Sequence, residues 1–180
     1  EGLATFEFLR DSHGEFYFLE VNPRVQVEHT VTEMITGHDL VSLGIRVASG
    51  ESLPLSQEEI QISGHAIQAR LNAEDPRTLE PSPGRLWECH WPAGPGVRVD
   101  THAHTGYDMP PSFDSLLAKL IVWGSDRNEA IRRLDAALAE TMILGVETLI
   151  PLHRAILSEE DFLNRDVTIR YLEKHPNLLN

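Results

Sequence analysis

The chain has 180 residues, 41% hydrophobic and 24% charged, which fits a soluble globular protein and argues against disorder. Its formal net charge of −13 argues against nucleic-acid binding, which depends on clustered positive charge. No run of about 18 apolar residues occurs, which excludes a membrane-spanning helix. The single cysteine, Cys89, excludes an intramolecular disulfide and favours a reducing, cytoplasmic location.

The chain begins with Glu1 instead of Met, and an apolar segment follows almost at once, so we expect a fragment or a processed product. All but two of its 15 basic residues are arginines, and the two lysines are Lys119 and Lys174. No glycine-rich G-x-x-x-x-G-K-[ST] loop is present. If the protein binds a nucleotide, part of the phosphate site is therefore expected outside these residues.

The first residues predict a β-hairpin. Stretches 3–9 and 15–22 are rich in aromatic and aliphatic residues and flank a turn-forming cluster. We expect the second strand to continue as an extended segment to about Glu28. Thr30 and Glu33 then have the spacing of a capping box, which predicts a short helix.

The rest of the chain predicts further helices and antiparallel strands. Residues 64–75 alternate in polarity, with Arg70 on the polar face and Leu71 on the apolar face. The other predicted elements are strands at 85–90, 97–101 and 116–123 and helices at 40–49, 126–145, 148–157 and 161–172. The predicted fold class is α+β, with a boundary that divides the chain into residues 1–55 and 56–180.

One segment carries an unusual polar pattern. Five polar residues recur at every second position, so an extended chain would place their side chains on one face. Two carboxylates, two amides and one guanidinium are not the composition of an ordinary solvated strand face. The five residues are Glu20, Asn22, Arg24, Gln26 and Glu28.

Glu7 strengthens the case for a functional site. It lies mid-strand between Phe6 and Phe8, where a charge is costly unless it is paired or bound to a metal. Hairpin pairing brings it close to Glu20, and two such carboxylates would need a cation between them. Together with the oxygen of Asn22, these ligands suit Mg²⁺ or Mn²⁺ on phosphate oxygens. A solvent-exposed glutamate pair is the alternative.

These segments closely resemble the metal and bicarbonate region of biotin carboxylases, the ATP-grasp enzymes that carboxylate biotin in acyl-CoA and pyruvate carboxylases. The order of the segments is that of a C-terminal half, which implies the end of an ATP-grasp domain (1–55) followed by the C-terminal domain (56–180), with antiparallel strands and C-terminal helices. The resemblance lies in residues 6–8, 18–40, 64–66, 70–76, 81–84 and 114–120.

The resemblance implies roles for residues of the first segment. Residues matching Glu7, Glu20 and Asn22 hold two Mg²⁺ or Mn²⁺ ions on the ATP phosphates. The residue matching Glu28 is the general base that deprotonates bicarbonate. The residue matching Arg24 binds bicarbonate and carboxyphosphate.

The resemblance also implies the remaining bicarbonate contacts and a biotin contact. Gln26 and the backbone of Val27 match positions that hold bicarbonate. Arg70 matches the arginine that stabilises the negative ureido oxygen of biotin.

The implied activity is ATP- and bicarbonate-dependent carboxylation of biotin on a carrier protein, the first half-reaction of acetyl-CoA or a related acyl-CoA carboxylase, and hence of fatty acid biosynthesis. The implied partners are ATP, bicarbonate, the biotin carrier and a carboxyltransferase, with a homodimer as the assembly. These residues alone are expected to be inactive.

Two other functions compete with this interpretation. A carbamoyl-phosphate-synthetase-like ligase would share the metal ligands but not Arg70 in its Arg-Leu-Asn-Ala-Glu-Asp setting. A non-catalytic dimerisation or carrier-docking module would instead use the region rich in Pro and Gly. A zinc site is a weaker alternative that would use His90, His102 and His104.

Overall fold

The structure is a computed structural model that describes residues 1–179. The chain forms two compact units, the first spanning Glu1–Gly64 and the second beginning at His65. Both units contain antiparallel strands and helices, so the α+β fold class is confirmed. Within the described residues, every helix is too short or too polar to cross a bilayer.

The first unit begins with the predicted hairpin, in which β1 (Thr5–Arg10) pairs with β2 (Phe16–Asn22). Asp11 closes the turn, because its Oδ1 accepts hydrogen bonds from the backbone N–H groups of His13 at 2.8 Å and Glu15 at 3.0 Å. Asp is frequent in turns because its side chain can accept hydrogen bonds of this kind from the backbone. The turn of the hairpin is therefore determined by residues close together in the sequence.

Both faces of the hairpin expose large apolar side chains. Phe18 is 60% exposed, and its neighbour Tyr17, which points to the opposite face, is 57% exposed. In residues 1–64, all of which the structure describes, the buried residues are polar: Gln26, Thr30 and Glu33. The first unit therefore lacks an enclosed hydrophobic core of its own.

The predicted extension of the second strand to Glu28 is wrong. β2 ends at Asn22 because the next residue, Pro23, has no N–H group to continue the ladder. The chain turns at once, with the Arg24 N–H donating to the Asn22 carbonyl at 2.8 Å. Glu28 is the N-cap of helix α1 (His29–Thr36). The five alternating polar residues therefore do not share one strand face.

The predicted helix after the hairpin is present, but the predicted capping box does not form. Thr30 lies fully buried inside α1, and Glu33 is joined to the next helix instead. One oxygen of Glu33 accepts the first N–H of α2 (Leu40–Ala48) at 2.9 Å. Asp39 caps α2, accepting the N–H of Ser42 at 2.7 Å.

The second unit combines antiparallel strands with helices. Its strands are β3 (His65–Asn72), β4 (Gly84–Arg85), β5 (Glu88–His90), β6 (Val97–Thr101), β7 (Asp108–Met109), β8 (Leu116–Gly124) and β9 (Met142–Leu144). Its helices are α3 (Arg127–Glu140), α4 (Ile150–Ser158), α5 (Glu160–Leu163) and α6 (Tyr171–Lys174). The main sheet has the order β3-β8-β6, while β4 pairs with β7 and β5 pairs with β9.

The main sheet has one apolar face, and helix α3 packs on it. The alternation predicted for β3 is confirmed, since Ala69 and Leu71 are buried and Arg70 between them is exposed. The opposite face carries the charged side chains of Arg70, Lys119 and Asp100, together with the fully buried Ile121 of β8. The buried core of sheet and helices consists of Ala69, Leu71, Ala118, Leu120, Val122, Ala130, Ile131, Leu134, Ala137, Leu138 and Leu157.

Two predicted helices end earlier than expected. The helix that begins after Asp126 stops at Glu140, and the residues after it form β9 instead. The segment predicted as one helix from 161 to 172 is divided into α5 and α6. Arg165 adopts a left-handed backbone with φ 67°, which no α-helix continues through.

Candidate functional site

The hairpin brings four of the predicted site residues into one hydrogen-bonded group. Glu7 of β1 lies directly opposite Glu20 of β2 in the register. The Asn22 amide donates to Glu7 Oε1 at 2.9 Å and to Glu20 Oε1 at 3.0 Å. The Gln26 amide donates to the same Glu7 oxygen at 2.8 Å. We call Glu7, Glu20, Asn22 and Gln26 the carboxylate cluster.

The carboxylate cluster has the chemistry of a divalent-cation site. Like charges directly opposite each other on a sheet are destabilising, and here two amide groups donate hydrogen bonds to them. Glu20 is exposed and Glu7 is half-buried, whereas Gln26 is 8% exposed. Two carboxylates and an Asn carbonyl form the all-oxygen set that Mg²⁺ prefers in proteins. The residues present therefore fit such an ion.

The predicted bicarbonate residues lie in the turn between β2 and α1. Arg24 is exposed, and its guanidinium donates to the Val25 carbonyl at 3.2 Å. Val27 is half-buried, and the exposed Glu28 follows it as the helix N-cap. The Glu28 side chain makes no capping hydrogen bond to α1. The turn, rather than a strand face, is what positions these groups.

Arg70 lies in the second unit, on the polar face of the main sheet. Lys119 of β8 is directly opposite it, and Asp100 of β6 is directly opposite Lys119 on the other side. The three side chains therefore form a row across the sheet, which we call the charged row. Lys119 Nζ lies 3.3 Å from Asp100 Oδ2.

Asp100 is held ionised within the charged row. Partial burial works to raise its pKa, but the hydrogen bonds and charge of Arg98, followed by those of Lys119, outweigh it, and the pKa lies below its usual value. Arg98 donates to both Asp100 oxygens, at 2.7 and 2.9 Å. The charged row was not predicted from the sequence. The feature that could have indicated it is Lys119, a single charged residue in an otherwise apolar strand.

The predicted zinc alternative is not supported. Within residues 1–179, no group of three or more His, Cys, Asp or Glu side chains is arranged to hold a metal ion. The rings of His102 and His104 instead lie edge-to-face against Tyr107, with ring centroids 5.1 and 5.9 Å from it.

Two parts of the chain match models of known protein families. Residues 1–56 match the family model of the carbamoyl-phosphate synthase L chain, ATP binding domain. Residues 68–174 match the model of the biotin carboxylase C-terminal domain. The chain belongs to the biotin carboxylase family.

Individual relatives agree with this family. The chain is 53% identical over 173 residues to a biotin carboxylase of Haemophilus influenzae, and 50% identical over 176 residues to a pyruvate carboxylase subunit from Methanothermobacter thermautotrophicus. These matches cover 96% and 97% of the chain, but only 38% and 36% of the respective relatives.

A solved structure with the same fold is the biotin carboxylase domain dimer of 2-oxoglutarate carboxylase from Hydrogenobacter thermophilus, in complex with MgADP, ADP and bicarbonate. It is 46% identical, with a TM-score of 0.96, and the match covers 98% of this chain and 39% of that one.

Proposed function

We propose that this chain is part of an enzyme that carboxylates biotin on a carrier protein, using ATP and bicarbonate. The observation that carries the proposal is the direct pairing of Glu7 with Glu20, joined by the amide of Asn22. Family membership supports it, because residues 68–174 match a biotin carboxylase domain and not a general ATP-binding one. The same match disfavours the carbamoyl-phosphate-synthetase-like alternative.

We propose that Glu7, Glu20 and Asn22 hold two Mg²⁺ or Mn²⁺ ions against the ATP phosphates. When bound, these ions supply positive charge that neutralises the phosphate oxygens during phosphoryl transfer. The protein supplies the geometry, since the hairpin fixes both carboxylates at adjacent positions. Gln26, buried and bonded to Glu7, keeps that carboxylate oriented.

In the proposed first stage, Glu28 removes the proton from bicarbonate. A bicarbonate oxygen then attacks the γ-phosphorus of ATP, the bond to the ADP oxygen breaks, and carboxyphosphate forms. Arg24 holds the anion with its planar, always-charged guanidinium. Gln26 and the Val27 backbone complete the bicarbonate contacts. These tasks need charge and positioning, which explains a site of carboxylates, amides and arginines.

In the proposed second stage, carboxyphosphate breaks down to CO₂ and phosphate. Phosphate takes the proton from N1 of biotin, and N1 then bonds to the carbon of CO₂. Negative charge builds up on the ureido oxygen of biotin as the proton leaves. We propose that Arg70, which is exposed on its strand, stabilises that charge.

We further propose the assembly in which this reaction takes place. The chain would act with a biotin carrier and a carboxyltransferase, in a homodimer and in the cytoplasm, with domains 1–55 and 56–180. We propose acetyl-CoA or a related acyl-CoA as the final acceptor, within fatty acid biosynthesis. The relatives also include pyruvate and 2-oxoglutarate carboxylases, so an assay with each acceptor in turn tests this choice.

Glu20→Gln in the complete enzyme should weaken the dependence on metal. Loss of one carboxylate ligand is expected to raise the Mg²⁺ concentration for half-maximal ATP hydrolysis by about 10–100-fold, the range seen for changes around metal ligands. A titration with Mg²⁺ at saturating ATP measures it. Glu15→Gln, an exposed carboxylate in the same hairpin, is the matched control. An unchanged Mg²⁺ requirement for Glu20→Gln would contradict the metal role.

The 180-residue chain by itself is expected to show no bicarbonate-dependent ATP hydrolysis. It contains neither a glycine-rich phosphate loop nor lysines in the first unit, so it lacks groups that bind and cover ATP phosphates. Release of inorganic phosphate with and without bicarbonate measures the activity. Turnover above the buffer background would overturn this expectation.

A further inference from the structure

Arg70 sits on an open edge of the main sheet. The strand order β3-β8-β6 leaves one side of β3 without a neighbouring strand. An edge strand presents unpaired backbone groups along that side, and helix α4 and its N-cap residue Leu149 each contact one of them. Nε2 of His153 lies 2.8 Å from the Arg70 carbonyl oxygen, and the Leu149 N–H donates to the Asn72 carbonyl at 3.2 Å. These two contacts hold the strand at Arg70 and just beyond it.

In the hydrogen bond between His153 and the Arg70 carbonyl, the donor is His153. A carbonyl oxygen only accepts hydrogen bonds, so Nε2 of His153 carries the hydrogen and donates it. Burial lowers the pKa of His153, although the hydrogen bond to Arg70 works in the opposite direction. The ring is therefore neutral near pH 7, with its proton on the nitrogen that faces the strand.

Holding this backbone matters because its position sets how the Arg70 guanidinium, which lies beside a second cation, can approach a ligand. Arg70 and Lys119 are directly opposite each other, and like charges in that position repel. Asp100 lies on the far side of Lys119 and pairs with both Lys119 and Arg98. Its negative charge therefore offsets part of the repulsion from the side opposite Arg70. A displacement of about 1 Å in a positioned group can cost about 10²-fold in rate.

We propose that His153 is a positioning residue, which fixes the backbone of Arg70 so that its guanidinium meets the anionic ureido oxygen of biotin. The proposal rests on the function proposed above for Arg70. His153 acts only through Arg70, so it affects the second stage of the reaction and leaves the first stage intact. The relevant ligand class is a cyclic urea that becomes an anion.

The test compares His153→Met with His153→Gln in the complete enzyme. The two side chains are similar in size, but only Gln retains an N–H donor for the Arg70 carbonyl. We expect Met to lower the kcat of carboxybiotin formation about tenfold, and Gln to restore most of it. Bicarbonate-dependent ATP hydrolysis measured without biotin should stay within about twofold of the unchanged enzyme in both.

Arg154→Met is the matched control on the same helix. Arg154 pairs with Asp135 of α3 at 2.7 Å in a half-exposed ion pair, so its loss removes one surface contact of α4 without touching Arg70. We expect it to leave carboxybiotin formation unchanged. If His153→Met does not fold, His153→Asn, whose amide is too short to reach the carbonyl, replaces it.

Three outcomes would overturn the proposal: an unchanged rate in His153→Met, an equal loss in Met and Gln, or an equal loss in both stages. Failure of the unchanged enzyme to make any carboxybiotin is a separate result, which would overturn the proposed function itself and this inference with it.

Discussion

Glu28→Gln in the complete enzyme should lower the rate of biotin carboxylation by about 10²–10⁴-fold, the usual contribution of a positioned general base. The substitution keeps the size of the side chain and removes its ability to accept the bicarbonate proton. Because Glu28 lies at the N-cap of α1 without a capping hydrogen bond, its exchange should leave the helix intact. The carboxylate cluster is unaltered, so ATP binding should be retained.

The measurements for Glu28 are the rate of carboxybiotin formation and the dissociation constant of ATP. Glu58→Gln, an exposed carboxylate outside the proposed site, controls for the loss of one negative charge. Retention of the full carboxylation rate in Glu28→Gln would remove Glu28 as the base. Loss of ATP binding in parallel would instead assign it to the nucleotide site.

Arg70→Met should separate the two stages of the reaction. Met keeps an unbranched stem and removes the charge, so the ureido oxygen of biotin would lose the cationic donor that we propose for it. Removal of one donor to a developing oxyanion typically costs about 10²–10³-fold, and we expect that loss in carboxybiotin formation. Bicarbonate-dependent ATP hydrolysis without biotin should persist, because Arg70 has no proposed role in that stage.

Arg70→Lys refines this test, since it keeps the charge but loses the planar fork. An intermediate rate is expected for it. Arg77→Met, on an exposed loop of the same unit, serves as the control for removing one positive charge. Equal loss of both activities in Arg70→Met would contradict a role confined to biotin.

Local sequence signals predicted the elements that local chemistry determines. The hairpin was predictable because Asp11 closes its turn within five residues. The parity of β3 was predictable because an apolar helix face covers one side of the sheet, which leaves Arg70 on the other. The juxtaposition of Glu7 and Glu20 followed from the hairpin alone.

The features that the sequence did not predict depend on longer-range contacts or on a single backbone event. The alternation of polar residues predicted that β2 would continue beyond Asn22. Pro23 ends the strand because it has no N–H group for the next hydrogen bond of the ladder, whatever the pattern of side chains that follows. Glu33 does not take part in the predicted capping box, and its carboxylate accepts a hydrogen bond from the first N–H of α2 instead. The charged row joins strands distant in sequence, and only the sheet register places Asp100 beside Lys119.

The distribution of buried apolar residues predicts an uneven resistance to local opening. The second unit has its hydrophobic residues enclosed between sheet and helices, whereas the first unit buries only polar residues and exposes aromatic ones. A two-stranded hairpin without a covering layer is marginally stable in water. Amide hydrogens of β1 and β2 should therefore exchange with solvent deuterium much faster than those of β8. The proposed metal ligands and Arg70 would thus lie on parts of this chain that open to solvent at very different rates.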